Sequence, residues 1–230
     1  MKSLYAAAAV AALSILSAAP ATADPVYTGT IIDVEDTVGS PSLGGGPFQI
    51  DVNPQDGGYD FLTFCLERSE GLGYDWYRVE TAMSTSTGDP LDYRTAYLYS
   101  QFRNGAIVLD NDNKRDAFQL AIWRLEGEVA DNSNYSDPNP DSNSTERSLA
   151  DGFLSLANTN AVAGNFYGVG VMQLFAANEN GSFIYKHGKV INRQDLLYLQ
   201  PVTVPEPASM ALLGLGLVGM ARVARRPTSK

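Results

Sequence analysis

Cys65 is the single cysteine in a chain of 230 residues, and it lies in the apolar stretch Phe61-Leu62-Thr63-Phe64-Cys65-Leu66-Glu67. Gln119 lies in another, Asp116-Ala117-Phe118-Gln119-Leu120-Ala121-Ile122-Trp123-Arg124. An unpaired cysteine in an exported chain calls for an explanation. A thiol and a carboxamide held in contact can lose ammonia and join as an internal thioester. Near-attack placement turns an improbable encounter into an intramolecular step. Exclusion of water protects the product from hydrolysis. The other reading of the same residues is a buried free thiol, ordinary on packing grounds, beside a glutamine that serves a hydrogen-bond network.

Two elements must position these groups. Phe118, Ala121, Ile122 and Leu125 follow the i, i+3, i+4, i+7 spacing of a core-facing helical stripe. Gln119 and Trp123 are four apart and share a different face. Asn113 or Asp112 is a suitable N-cap, Asp116 suits the positive first turn, and Gly127 is placed to end the helix. Residues 59–66 read as an aromatic-rich strand. Alternation would put Thr63 and Glu67 on the side of Cys65, with Phe64 and Leu66 opposite. Further strands are expected over 26–34, 48–52, 77–83, 167–175, 183–185 and 196–204. Helices are expected from Pro90, capped by Asp89, to about Phe102, and over 145–157, with a polar exposed loop over 131–144. Strands, then helices, then strands describe an α+β fold. Its core is an antiparallel β-sheet or barrel, with a helical insertion carrying Gln119.

Phe64-Cys65-Leu66-Glu67 followed by Phe118-Gln119-Leu120-Ala121-Ile122-Trp123 resembles the paired motif of bacterial surface thioester domains. In that family an aromatic-Cys-aliphatic-acidic strand faces a Gln-x-Ala-Ile-Trp helix. The resemblance implies that Cys65 and Gln119 are the bonded pair. Phe64, Glu67, Phe118 and Trp123 then pack around the site. Tyr97-Leu98-Tyr99 is similar to the family's aromatic segment upstream of the glutamine. The resemblance covers about 61–128. It implies covalent capture of an amine, commonly a lysine on a partner protein, and adhesion by a protein that reacts once and is not an enzyme. Phe118 departs from the Thr of the best-known members. Those members are also Gram-positive wall-anchored adhesins, so the different sorting signal here shifts the expected target toward a matrix or cell-envelope component.

Both ends of the chain read as address labels. Lys2, an Ala-rich apolar run and Ala21-Thr22-Ala23 form a secretory signal over 1–23, with Asp24 as the new N-terminus. At the other end come Pro205-Glu206-Pro207, an apolar Gly-rich run over 208–221, and Arg222, Arg225 and Arg226. The run is short for a span, and the arginines would hold its end in the cytoplasm. This order of parts resembles the bacterial PEP-CTERM sorting signal. It implies a Gram-negative, exopolysaccharide-producing host and an exosortase that removes the tail near Pro205-Glu206-Pro207. The tail, 205–230, would hold the protein in the membrane through a short transmembrane segment until then.

The intervening ectodomain, 24–204, holds 11 basic and 25 acidic residues, a net charge near −14. Such a surface disfavours nucleic acid and anionic membranes as partners. The length fits one domain with a sizeable core. No phosphate loop, dinucleotide fingerprint or zinc cluster is present, so no cofactor is expected. Asp51-Val52-Asn53 with Asp56-Gly57, and Asp110-Asn111-Asp112, miss the spacing of a calcium loop and read as solvated turns. His187 with Cys65 and Asn192 or Asp195 would be needed for a cysteine hydrolase. A cysteine on a strand lacks the helix N-terminus that lowers a thiol pKa. The alternative function is a non-reactive structural or carbohydrate-binding matrix protein, with Tyr74-Asp75-Trp76-Tyr77 available to stack on sugar rings.

Overall fold

The computed structural model describes residues 23–38, 45–52, 60–129 and 143–200. Six strands form one antiparallel sheet: β1 (Ile31–Thr37), β2 (Phe48–Val52), β3 (Phe61–Thr63), β4 (Trp76–Ala82), β5 (Val169–Ala177) and β8 (Asn192–Leu199), in the order β3-β2-β1-β4-β5-β8. Three helices, α1 (Tyr93–Arg103), α2 (Asp112–Leu125) and α3 (Asn143–Asn160), are inserted between β4 and β5, which pair directly with each other. This is the expected α+β layout with a helical insertion. The sheet does not close into a barrel. Its edge strands approach where the chain leaves β3, through one bridge between Cys65 and Leu196. Leu66 N–H donates to Asp195 O (3.0 Å) and Leu197 N–H to Phe64 O (3.2 Å) around that bridge.

Local chemistry explains where the elements begin. The strand expected from residue 26 starts later because Tyr27 to Thr30 form a turn, with Thr30 N–H on Tyr27 O and Gly29 at φ 95°. The first helix is capped by Asp92, whose carboxylate accepts from Arg94 N–H. Asp89 does not cap it, because Ser84 and Pro90 are bridged in extended chain and Asp89 O accepts from Thr85 N–H. Asn111 caps α2 through Lys114 N–H at 3.0 Å. Gly127 follows that helix at φ 80°, where a side chain would be strained. The expected strand at 183–185 is instead part of a small hairpin, β6 (Tyr185–Lys186) and β7 (Lys189–Val190). Its turn holds His187 and Gly188 at φ 52° and 77°, the positive values that a tight two-residue hairpin requires. Residues 131–142 and 201–204 of the expected loop and last strand lie outside the described residues.

The core lies between the sheet and the helices. The sheet supplies Ile32, Ile50, Val79, Val171, Leu174 and Leu197, all with no exposed surface. The helix α2 is not the one-striped helix its spacing suggested. All eight residues from Asp116 to Trp123 are buried. The reason is its central place: Phe118 meets Phe64 beyond β3, Phe102 on α1 and Phe153 on α3, with ring centroids 4.8, 5.8 and 5.2 Å away. A helix enclosed on several sides can hold a polar residue away from water on any face. Gln119 is that residue.

Candidate functional site

Gln119 and Cys65 are brought together, both with no exposed surface. The Cys65 Sγ lies 3.2 Å from Gln119 Oε1. The same oxygen accepts from Cys65 N–H at 3.2 Å and Gly46 N–H at 3.1 Å. Gln119 Nε2 donates to Cys65 O at 2.8 Å. The carboxamide is therefore held at both ends, with two backbone donors converging on its oxygen. This is the arrangement that stabilises charge developing on an acyl oxygen under nucleophilic attack.

Sequence alone did not identify Gly45 and Gly46 as part of the site. A Cβ on Gly45 would stand 2.3 Å from Gln119 Cγ, and one on Gly46 would stand 2.6 Å from Thr63 O. Gly45 lets the backbone press against the Gln119 side chain, and Gly46 lets it press against the backbone at Thr63 and Phe64. The run Gly44-Gly45-Gly46-Pro47 before a strand carried that signal, since glycine there often marks close backbone approach.

Burial pushes the Cys65 thiol up to about 12; the nearby Gly46 and Cys65 N–H groups and the Trp123 indole pull it down, and the Glu67 carboxyl raises it further. The Trp123 Nε1–H is buried with no hydrogen-bond partner among the described residues. It lies beside the sulfur without closing a bond to it. Trp123 thus shares the face of Gln119, as its spacing predicts. Phe64 does not point away from the site as strand alternation predicts. It packs on Phe118 of α2, the helix that Cys65 also meets. Regular pleating has already ended at Thr63.

Glu67 faces β8. Its Oε2 accepts from Asp195 N–H at 2.9 Å, and Asp195 Oδ2 accepts from Ser86 N–H at 2.5 Å. Both carboxyls are buried, at 5% and 0% exposure. Burial raises the pKa of each, and their mutual repulsion keeps Glu67 above the ordinary carboxylate range. The association of Asp195 with the cysteine segment was visible in the sequence only as one member of a hydrolase triad. That triad is not assembled: His187 and Asn192 are exposed, whereas Cys65 is fully buried.

The remaining candidates have structural partners. Asp110 pairs with Lys114, Asp112 with Arg115, and Asn111 caps α2. Among the described residues no group of three or more His, Cys, Asp or Glu side chains is placed to hold a metal; Asn53, Asp56 and Gly57 lie outside them. Tyr77 is buried, and its hydroxyl accepts from Gly73 and Tyr74 N–H. Tyr74 is half-buried, with the Arg193 guanidinium 4.7 Å from its ring centre. Among the described residues no helix is long and apolar enough to cross a membrane. The expected short span and Pro205, Glu206 and Pro207 lie outside them.

Residues 203–226 match the family model of the PEP-CTERM protein-sorting motif. This motif indicates a bacterial surface protein that is exported and sorted by an exosortase. No curated protein and no solved structure gives a significant match to the chain.

Proposed function

We propose that this exported protein forms an internal thioester between Cys65 and Gln119 and uses it to capture an amine covalently. The observation that supports this most directly is the buried contact between Cys65 Sγ and a Gln119 carboxamide whose oxygen accepts two backbone N–H bonds. In the forming step the sulfur attacks Gln119 Cδ, the C–S bond forms, and the carboxamide nitrogen leaves as ammonia. Negative charge gathers on Oε1, where Gly46 and Cys65 N–H already point. In the capturing step an amine attacks the same carbon and the C–S bond breaks. The amide nitrogen now belongs to the partner, and the proton lost by the amine returns to the Cys65 sulfur. The Trp123 N–H beside that sulfur favours the departing thiolate. The partner class is a lysine-bearing protein or matrix component at the envelope or extracellular matrix of a Gram-negative bacterium. The reaction occurs once per molecule.

The test is the intact mass of the full chain before and after methylamine. The expected result is a mass one ammonia short, with methylamine then added at Gln119 and a free thiol released at Cys65. Cys65→Ala should show neither change. Covalent capture that persists in Cys65→Ala would sink the mechanism.

A second reading, a non-reactive matrix protein that binds carbohydrate, is favoured by one feature. A hollow of about 460 Å³ is lined by Tyr74, Asp33, Glu35, Gln49 and Asp75, which pairs an aromatic ring with several hydrogen-bonding side chains. In that reading methylamine changes nothing and Cys65 titrates as a free thiol in the unfolded protein.

A further inference from the structure

The proposed bond poses a proton problem. A thiol pushed up to about 12 is almost wholly protonated near neutral pH, and the thiolate is the nucleophile. Something must take its proton as the sulfur attacks. Something must also supply a proton to the departing nitrogen, because an amide anion is a very poor leaving group.

Glu67 and Asp195 lie on the cysteine segment and on the strand bridged to it, and they share an unusual deficit. Glu67 is two residues beyond Cys65, in the segment that the Cys65–Leu196 bridge ties to β8. Asp195 is tied to the same segment twice, through Leu66 N–H on Asp195 O and Asp195 N–H on Glu67 Oε2. The bond from Asp195 N–H sets the Glu67 carboxyl beside Asp195. Yet Glu67 Oε1 and Asp195 Oδ1 are both buried with no donor among the described residues. Two such oxygens are costly unless something satisfies them. One proton shared between the carboxyls satisfies both and removes the repulsion of two buried charges. A pair with one proton can accept another and can also give one up.

We propose that Glu67 and Asp195 hold one proton between them and relay protons for the Cys65–Gln119 centre. The inference rests on the thioester reading. In bond formation the pair's carboxylate takes the thiol proton as the C–S bond forms, and the pair returns a proton to the nitrogen as ammonia leaves. In capture the pair takes a proton from the attacking amine and gives one to the Cys65 thiolate as the C–S bond breaks. Each step leaves the pair with the single proton it began with. The titratable groups that face the pair are the Cys65 thiol on its own segment and Glu70 in the loop that follows; Ser86 N–H, from the turn after β4, holds Asp195 Oδ2.

The test is the rate of methylamine incorporation against pH, at constant free-amine concentration, for the full-length wild type, Glu67→Gln and Asp195→Asn. Both substitutions keep an oxygen for the backbone donor it now accepts, and near-UV circular dichroism checks the fold. The wild-type profile should show an inflection above the ordinary carboxylate range. The variants should lose it and react on the order of a hundredfold more slowly, the typical contribution of general acid–base catalysis. Folded variants with the wild-type rate and inflection would overturn the relay. If neither variant folds, the wild-type profile decides, because a rate proportional to hydroxide throughout leaves no role for the pair. A wild type that has lost no ammonia and retains Gln119 removes the thioester reading itself, a different result from an intact thioester with an unchanged profile.

Discussion

Two buried polar clusters sit at different places on the same framework, and they are built to opposite rules. At the end of β8, Asp24 is 2% exposed and meets Arg103 through two bonds of 2.7 Å, one to each carboxylate oxygen. Leu199 N–H adds a further bond of 2.7 Å to Asp24 Oδ2, and Arg103 also donates to Tyr99 at 2.9 Å. Charge is balanced and both oxygens are used. On the cysteine segment and β8, Glu67 and Asp195 place two acids together and leave an oxygen of each with no donor among the described residues. The first cluster joins the chain before β1, the helix α1 and the last strand, with nothing left over to react. The second retains a capacity for protons. Burial of charge therefore does not by itself distinguish structure from chemistry.

The sharpest way to break this comparison is Arg103→Met. It strands the Asp24 carboxylate in a site where burial already raises its pKa and Arg103 opposes the rise. Removing one partner of a buried ion pair costs about 3–5 kcal/mol, so urea denaturation should show a large loss. A change near zero would mean that the first cluster is no more committed to stability than the second.

Next in size is Gly45→Ala, which acts on the carboxamide that the acid pair is proposed to serve. The new methyl group would stand 2.3 Å from Gln119 Cγ. Overpacking of this kind costs about 1–3 kcal/mol, and displacement of Gln119 should abolish ammonia loss in the mass assay. Normal ammonia loss in the variant would show that the close glycine contact does not position the reacting group.

The smallest effect expected is on stability against pH. Burial raises Glu126 from 4.5 to about 7, with the hydrogen bond from Asp92 N–H opposing the rise, and it raises Glu67 and Asp195 in the same direction. A carboxyl with a raised folded pKa holds a proton that the unfolded chain releases. Its contribution to stability is full below the unfolded value, near 4.5, and is lost as pH rises through the folded value. The urea midpoint should therefore fall across that window. Asp195→Asn should flatten the fall. An unchanged slope would mean that the acid pair holds no extra proton in the folded state.

Much of this organisation was legible in the sequence because it is periodic or local. The four-residue spacing of Gln119 and Trp123 put them on one helical face, and the structure keeps them there. Gly127 marked the end of α2 through its tolerance of positive φ. The order of strands and helices gave the α+β layout, because alternation and helical spacing are properties of short segments. Other features were not legible. Asp24 and Arg103 are 79 positions apart and Glu67 and Asp195 128 apart, and no local pattern links such pairs. The packing of Phe64 was misjudged because alternation was extended past the point where β3 stops. The single stripe on α2 was too narrow because periodicity cannot count how many neighbours a helix has.

The sequence by itself therefore determined the inventory of groups, one thiol and a helix-borne carboxamide, together with the sorting motif at 203–226. These depend on residue identity and short-range spacing, which the chain carries in any conformation. The tertiary structure decided that the carboxamide oxygen meets two backbone N–H groups, that water is kept from the thiol, and that a second acid stands against Glu67. Those facts depend on the sheet's edges approaching at Cys65 and Leu196 and on α2 being enclosed. Only packing across many residues of chain fixes distances, burial and the protonation that follows from them.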